Sequence, residues 1–79
     1  MIKIERSKNG WIIYNNRDFK RFHTHVKYLR VAKKIRNAVI KNIIPTTECI
    51  EVLISCKRLS YDREYIKRLE KRIEELESV

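Results

Sequence analysis

Residues 2–15, IKIERSKNGWIIYN, decide how the chain must begin to fold. Ile2 and Ile4 alternate with Lys3 and Glu5, the period-two pattern of a strand with one wet face. SKNG follows, and Asn-Gly is the strongest short hairpin signal because both residues tolerate positive φ. WIIYN is dense in the aromatic and β-branched residues that favour strands. The pattern predicts an antiparallel hairpin over residues 2–6 and 11–15. Trp11 and Ile13 would share one face, and Ile12 and Tyr14 the other.

Working outward, NNRD at 15–18 is a second turn signal. FKRFHTH at 19–25 reads as a short third strand over 19–24 or as an irregular lead-in. As a strand it would point Arg21, His23 and His25 one way and Phe22 and Thr24 the other. Residues 26–43 carry a helical period. Tyr28, Val31, Ala32, Ile35, Ala38, Val39 and Ile43 fall on one broad side. Lys27, Arg30, Lys34, Asn37 and Lys41 fall opposite, flanked by Lys33 and Arg36. Thr24 is the candidate N-cap, and Pro45 is expected to end the element.

A second helix is expected within TTECIEVLISCKRL, residues 46–59. Thr46 or Thr47 would cap it, Glu48 suits its positive end, and Lys57 and Arg58 suit the other. Cys49, Val52, Leu53 and Cys56 make one face, which Ile50 and Ile54 widen, so this helix should be the most buried. The third helix begins at Ser60 or Asp62. Ile66, Leu69, Ile73 and Leu76 then repeat at +3, +4, +3, a heptad seam two repeats long. Glu64 is spaced to pair with Arg68. Glu74, Glu75 and Glu77 oppose the helix dipole, so the last turn is expected to fray. The expected fold is α+β: an N-terminal β-hairpin, with a candidate third short strand, followed by three α-helices. It is one domain, 1–79, with a hairpin region at 1–25 and a three-helix region at 26–79.

The chain has 79 residues, enough for one small core and no more. At 43% hydrophobic and 37% charged residues it is too apolar for a disordered chain. No run approaches the ~20 apolar residues that span a bilayer, and MIKIERSKNG lacks the apolar centre of a secretory signal, so a cytoplasmic protein is expected. Cys49 and Cys56, on one helix, would stand ~10.5 Å apart along its axis. That is too far for a disulfide or a shared zinc ion, and both are expected to be small buried hydrophobes.

The net charge of +9 is unevenly placed. Residues 1–45 hold twelve Lys or Arg against Glu5 and Asp18, for +10, whereas residues 46–79 hold seven basic and eight acidic residues, for −1. Such asymmetry suits a polyanionic partner, through counterion release and long-range attraction. The competing reading is solubility and a lysine- and isoleucine-rich codon bias. The candidate nucleic-acid contacts are Lys27, Arg30, Lys33, Lys34 and Lys41, extended by Arg17, Lys20 and Arg21. Trp11, Tyr14, Phe19 and Phe22 are candidate stacking surfaces for bases.

Other chemistries find little support. His23 and His25 form one close pair where zinc wants three or four ligands, so no metal is expected. Ser7, Ser55, Ser60 and Ser78 sit in no strained glycine elbow. No carboxylate pair stands out, and so short a chain leaves little room for a deep substrate pocket. No catalytic residues, no cofactor and no small-molecule substrate are expected. The alternative to nucleic-acid binding is a protein-interaction module. It would be a homodimer through Ile66, Leu69, Ile73 and Leu76, or an adaptor to an acidic partner.

NGWIIYN, FHTHVK, AKKI, IPTT and KRLSYDREYIKRLEKRI occur in that order along the chain. In these pieces the chain resembles short uncharacterised proteins from prophages and mobile elements of AT-rich bacterial genomes. The resemblance implies a small cytoplasmic accessory protein and assigns no residue a role. Together these readings lead to an expected non-enzymatic protein with weak, sequence-independent nucleic-acid binding through a basic helix.

Overall fold

The computed structural model describes residues 2–18 and 20–78. Three antiparallel strands, β1 (Ile2–Ser7), β2 (Gly10–Asn15) and β3 (His23–Val26), precede three helices. The helices are α1 (Leu29–Lys41), α2 (Ile50–Leu59) and α3 (Arg63–Glu77). The chain is thus an α+β fold, with the strands in the order β1-β2-β3.

The first hairpin forms as expected, pairing Ile4 with Ile13 and Ile2 with Asn15. Its turn sits one residue earlier than Asn-Gly implies. Ser7 pairs with Gly10, so Lys8 and Asn9 form the loop, and neither has positive φ. Gly10 takes the unusual backbone instead, at φ +155°. A Cβ there would lie 2.4 Å from the Val26 carbonyl oxygen. Glycine is required because the hairpin backbone is pressed onto the end of β3.

The third strand exists, but at 23–26 rather than 19–24. Residues 16–18 and 20–22 are needed to turn the chain. Asn15 N–H donates to the Phe22 carbonyl (2.8 Å) and Phe22 N–H to that of Asp18 (2.9 Å). The Asn15 side-chain oxygen accepts from Arg17 N–H (3.0 Å). Thr24 therefore caps no helix: it is buried in β3, its hydroxyl 3.1 Å from that of Ser55 on α2. The sheet region consequently extends to Val26, which pairs with Trp11, past the expected boundary at residue 25.

α1 is shorter at both ends than the expected 26–43. Tyr28 is its N-cap and offers no side-chain hydrogen bond. Asn42, not Pro45, terminates it, in the left-handed conformation at φ 54°. Asn42 and Ile43 N–H groups close the last turn onto Val39 and Ala38 carbonyls (3.2 and 3.0 Å), the Schellman arrangement. The expected apolar side is correct in its middle: Ala32, Ile35, Ala38 and Val39 are buried. At its ends Tyr28 and Ile43 are exposed.

The core lies between the inner sheet face, α1 and α2. Ile13, Ala32, Ile35, Leu53, Cys56, Leu59, Tyr65 and Leu69 have no exposed surface. Full burial of each large aliphatic side chain stabilises by about 1.5–3 kcal/mol. Cys49 departs from the expected buried pair. It is exposed at the N-cap of α2, where its N–H donates to the Thr47 hydroxyl (3.1 Å). α3 packs chiefly on α2 and is capped by Asp62, whose carboxylate accepts from Glu64 and Tyr65 N–H groups. Glu64 pairs with Lys67 (3.9 Å) rather than with Arg68. Arg68 instead donates to the Asn42 carbonyl (2.9 Å) and lies over the Tyr65 ring. The last turn holds despite its acids, since Ser78 donates to the carbonyls of Glu74 and Glu75.

Candidate nucleic-acid interface

α1 has no acidic residue, and five of its thirteen residues are Lys or Arg. Arg30, Lys33, Lys34 and Lys41 are exposed and Arg36 is half-buried. The inner face of the helix fixes this: once Ala32, Ile35, Ala38 and Val39 enter the core, residues between them must turn outward. The row spans about 16.5 Å from Arg30 to Lys41 at 1.5 Å per residue. Among the described residues the ion pairs are Lys57–Glu70 (3.0 Å) and Lys67–Glu64 (3.9 Å), and neither involves α1. Lys34 is tethered: its ammonium donates to the Thr46 carbonyl (3.0 Å). Arg30 leans over the Tyr28 ring, 5.9 Å from its centroid.

The other expected contacts are not on this helix. Lys27 is exposed in the bend between β3 and α1. Arg17, Lys20 and Arg21 lie in the β2–β3 connection. Arg17 stacks on Tyr61 (4.4 Å), and Arg21 lies over Phe22 (5.5 Å). Tyr61 lines a cavity of about 560 Å³ with Ile2, Asn15, Ile40 and Asn42, so this connection sits at the C-terminal end of α1. The fold thus divides the eight expected cations. Lys27 and Arg30 mark one end of α1, Arg17 and Lys41 the other, with Lys20 and Arg21 following Arg17 in the β2–β3 connection, and Lys33 and Lys34 the middle.

The aromatic candidates also separate. Trp11 packs half-buried against the core, with Arg6 over its ring (5.2 Å). Phe22 meets Tyr61 edge-on at 6.1 Å. Phe19 lies outside the described residues. Tyr14 is on the outer sheet face, where its hydroxyl donates to Glu5; that hydrogen bond, with burial, holds its pKa above the usual phenol value. His23 and His25 share that face, their rings perpendicular and 5.5 Å apart. Among the described residues no three His, Cys, Asp or Glu side chains gather as metal ligands.

Of the α3 seam, Leu69 is fully buried, Ile73 and Leu76 pack half-buried against the core, and Ile66 is half-buried. Much of the heptad pattern is therefore spent on the protein's own α2. Cys56 faces Tyr65 in the same layer. Burial pushes its thiol up to about 11, against a lowering by the Tyr65 hydrogen bond. Burial likewise raises the Tyr65 hydroxyl, which donates to the Ile43 carbonyl (2.7 Å).

Sequence reasoning missed one grouping. Lys8, in the hairpin loop, comes beside His25 and Lys27 around a second cavity of about 520 Å³. The signal was present, since any hairpin ending at Ser7 carries Lys8 at its tip. The third strand had first to be placed at 23–26 for that tip to meet Lys27.

Compared with known proteins, the chain matches no family model, no curated protein and no solved structure.

Proposed function

We propose that this is a small non-enzymatic protein that binds nucleic acid weakly and without sequence preference, through α1 and the cations around it. The observation that carries the reading is a thirteen-residue helix with five cations, no acid and, among the described residues, no ion pair. Arg30, Lys33, Lys34 and Lys41 are the phosphate contacts, with Lys27 beside them. Arg17, Lys20 and Arg21 extend the surface at the far end of the helix. A solvated helix normally mixes both signs on its wet face, and α3 does so. Charge of one sign over three turns raises the local potential and favours a polyanion. No helix among the described residues is long and apolar enough to cross a membrane. We place the protein in the cytoplasm, among the accessory proteins of mobile elements that it resembles.

The test is a binding titration against single- and double-stranded DNA and RNA over a range of salt. Affinity should fall with a log–log slope of about −0.9 per phosphate contact on duplex DNA and about −0.7 on single strands. Arg30→Glu/Lys34→Glu should flatten the slope and weaken every nucleic acid alike. A response independent of salt, or no binding at low salt, overturns the reading.

A further inference from the structure

The cavity at the hairpin tip is lined by Ser7, Lys8, Asn9, His25, Val26 and Lys27. Its volume, about 520 Å³, lies within the range of small-ligand sites. Five of those six residues are of types whose side chains can donate a hydrogen bond (a hydroxyl, an amide, an imidazole and two ammonium groups), while most of the exposed lining itself is carbon. Among the described residues no carboxylate lines it. Val26 supplies an apolar wall.

Two independent features hold these groups together. Gly10 lets the hairpin backbone close onto the Val26 carbonyl and the Lys27 Cα, at contacts no other residue permits. The β2–β3 register places His25 opposite Ile12, on the same outer face as Ser7. Lys8 and Lys27 thus come from two turns locked by one glycine, nineteen positions apart in the chain. Neither ammonium forms an ion pair among the described residues. Lys8 and Lys27 bring two positive charges to the rim of one opening, which favours an anion there.

The geometry points to a phosphate seat, with Lys8, His25 and Lys27 as its ligands. A phosphodiester brings a single charge, whereas a phosphomonoester brings roughly −1.5 to −2 near neutral pH. Two ammonium groups and an imidazole match the second better. The seat therefore takes the terminal phosphomonoester of a single strand whose internal phosphates follow α1. This deepens the nucleic-acid reading and rests on it for the source of the phosphate. Lys27 belongs to both surfaces and makes them continuous, since α1 begins two residues after it.

The experiment compares one short single-stranded oligonucleotide with a 5′-phosphate, a 3′-phosphate or hydroxyls at both ends, alongside inorganic phosphate. One phosphorylated form should bind about tenfold tighter than the hydroxyl form, the value of one charge-assisted contact. Lys8→Gln should abolish that preference while hydroxyl-ended strands still bind. Arg30→Glu/Lys34→Glu should weaken all strands and leave the preference intact. Equal affinity for phosphorylated and hydroxyl strands, or a preference that survives Lys8→Gln, overturns the seat. If no strand binds, the amide resonances in a titration with inorganic phosphate decide. Shifts confined to residues 7–9 and 25–27 support the seat and remove the nucleic-acid reading. Shifts spread evenly over the surface lysines overturn both.

Discussion

Asn15 stands on the inner sheet face beside Ile13, where a strand pattern asks for an apolar side chain. It is tolerated because both ends of its amide are used. The nitrogen donates to the Leu59 carbonyl (3.1 Å), and the oxygen accepts from Arg17 N–H (3.0 Å). Asn15→Ala should cost about 1–3 kcal/mol in urea denaturation, because it leaves the Leu59 carbonyl buried without a donor. The role was illegible in the sequence, where Asn15 reads as part of a turn signal. Its partner is forty-four residues away, and no local pattern points to it. The cysteines divide in the same way. Spacing alone gave both the same environment, but Cys49 is exposed and Cys56 is not. In the folded protein one thiol per chain should react quickly with a thiol reagent at pH 8, and the second only on unfolding. The Cys56 thiol sits at about 11 against 9.0 for a free thiol. The folded chain thus holds that proton more tightly, a stabilisation complete below pH 9 and lost as pH rises through about 11. Tyr65, also raised, acts in the same direction. The urea midpoint should therefore decline above pH 9, and decline less steeply in Cys56→Ala.

At the scale of elements, the middles of the helices were readable and their ends were not. Ala32, Ile35, Ala38 and Val39 announce a helix by spacing alone, because burial of one face dictates the period. The ends depend on single backbone conformations. Lys27 suits a helix, but Val26 is β-branched, and cross-strand pairing with Trp11 claims it for β3. At the other end Asn42 adopts φ 54°, a conformation that Asn reaches more easily than most residues and Gly at no steric cost. Asn42→Gly should raise stability by up to about 1 kcal/mol, and Asn42→Val should lower it by about 1–2 kcal/mol. Arg68 binds the main-chain carbonyl at this position, so that contact is retained in both variants and the comparison isolates the backbone. Thermal melts of the pair measure the difference. The Glu64–Arg68 pairing failed for a related reason: the freed carbonyl of Asn42 offers Arg68 a better-fixed acceptor than an exposed carboxylate does.

For the whole molecule, the charge asymmetry was legible as a number and the shape of the charged surface was not. Composition shows that residues 1–45 hold the excess of cations. Only the fold reveals that Arg17 belongs with Lys41 around Tyr61 and Lys8 with Lys27 at the hairpin tip. Those neighbours are set by the way α1 returns along the sheet, which no window of the sequence contains. The strand order has a consequence in time. Each strand pairs only with the one before or after it, and no partner in the ladder is more than fifteen residues distant. Loops so short close at little entropic expense, whereas the links from Asn15 to Leu59 and from Thr24 to Ser55 must span thirty or more residues. The meander should therefore condense early, and the cross-links to α2 form late. Ile4→Val should slow refolding, and Ser55→Ala should chiefly hasten unfolding, in stopped-flow kinetics. A chain of this order assembles its sheet before there is anything to cover it. For that interval Ile13 faces water, and the like-charged loops around it keep such half-built copies from adhering to one another.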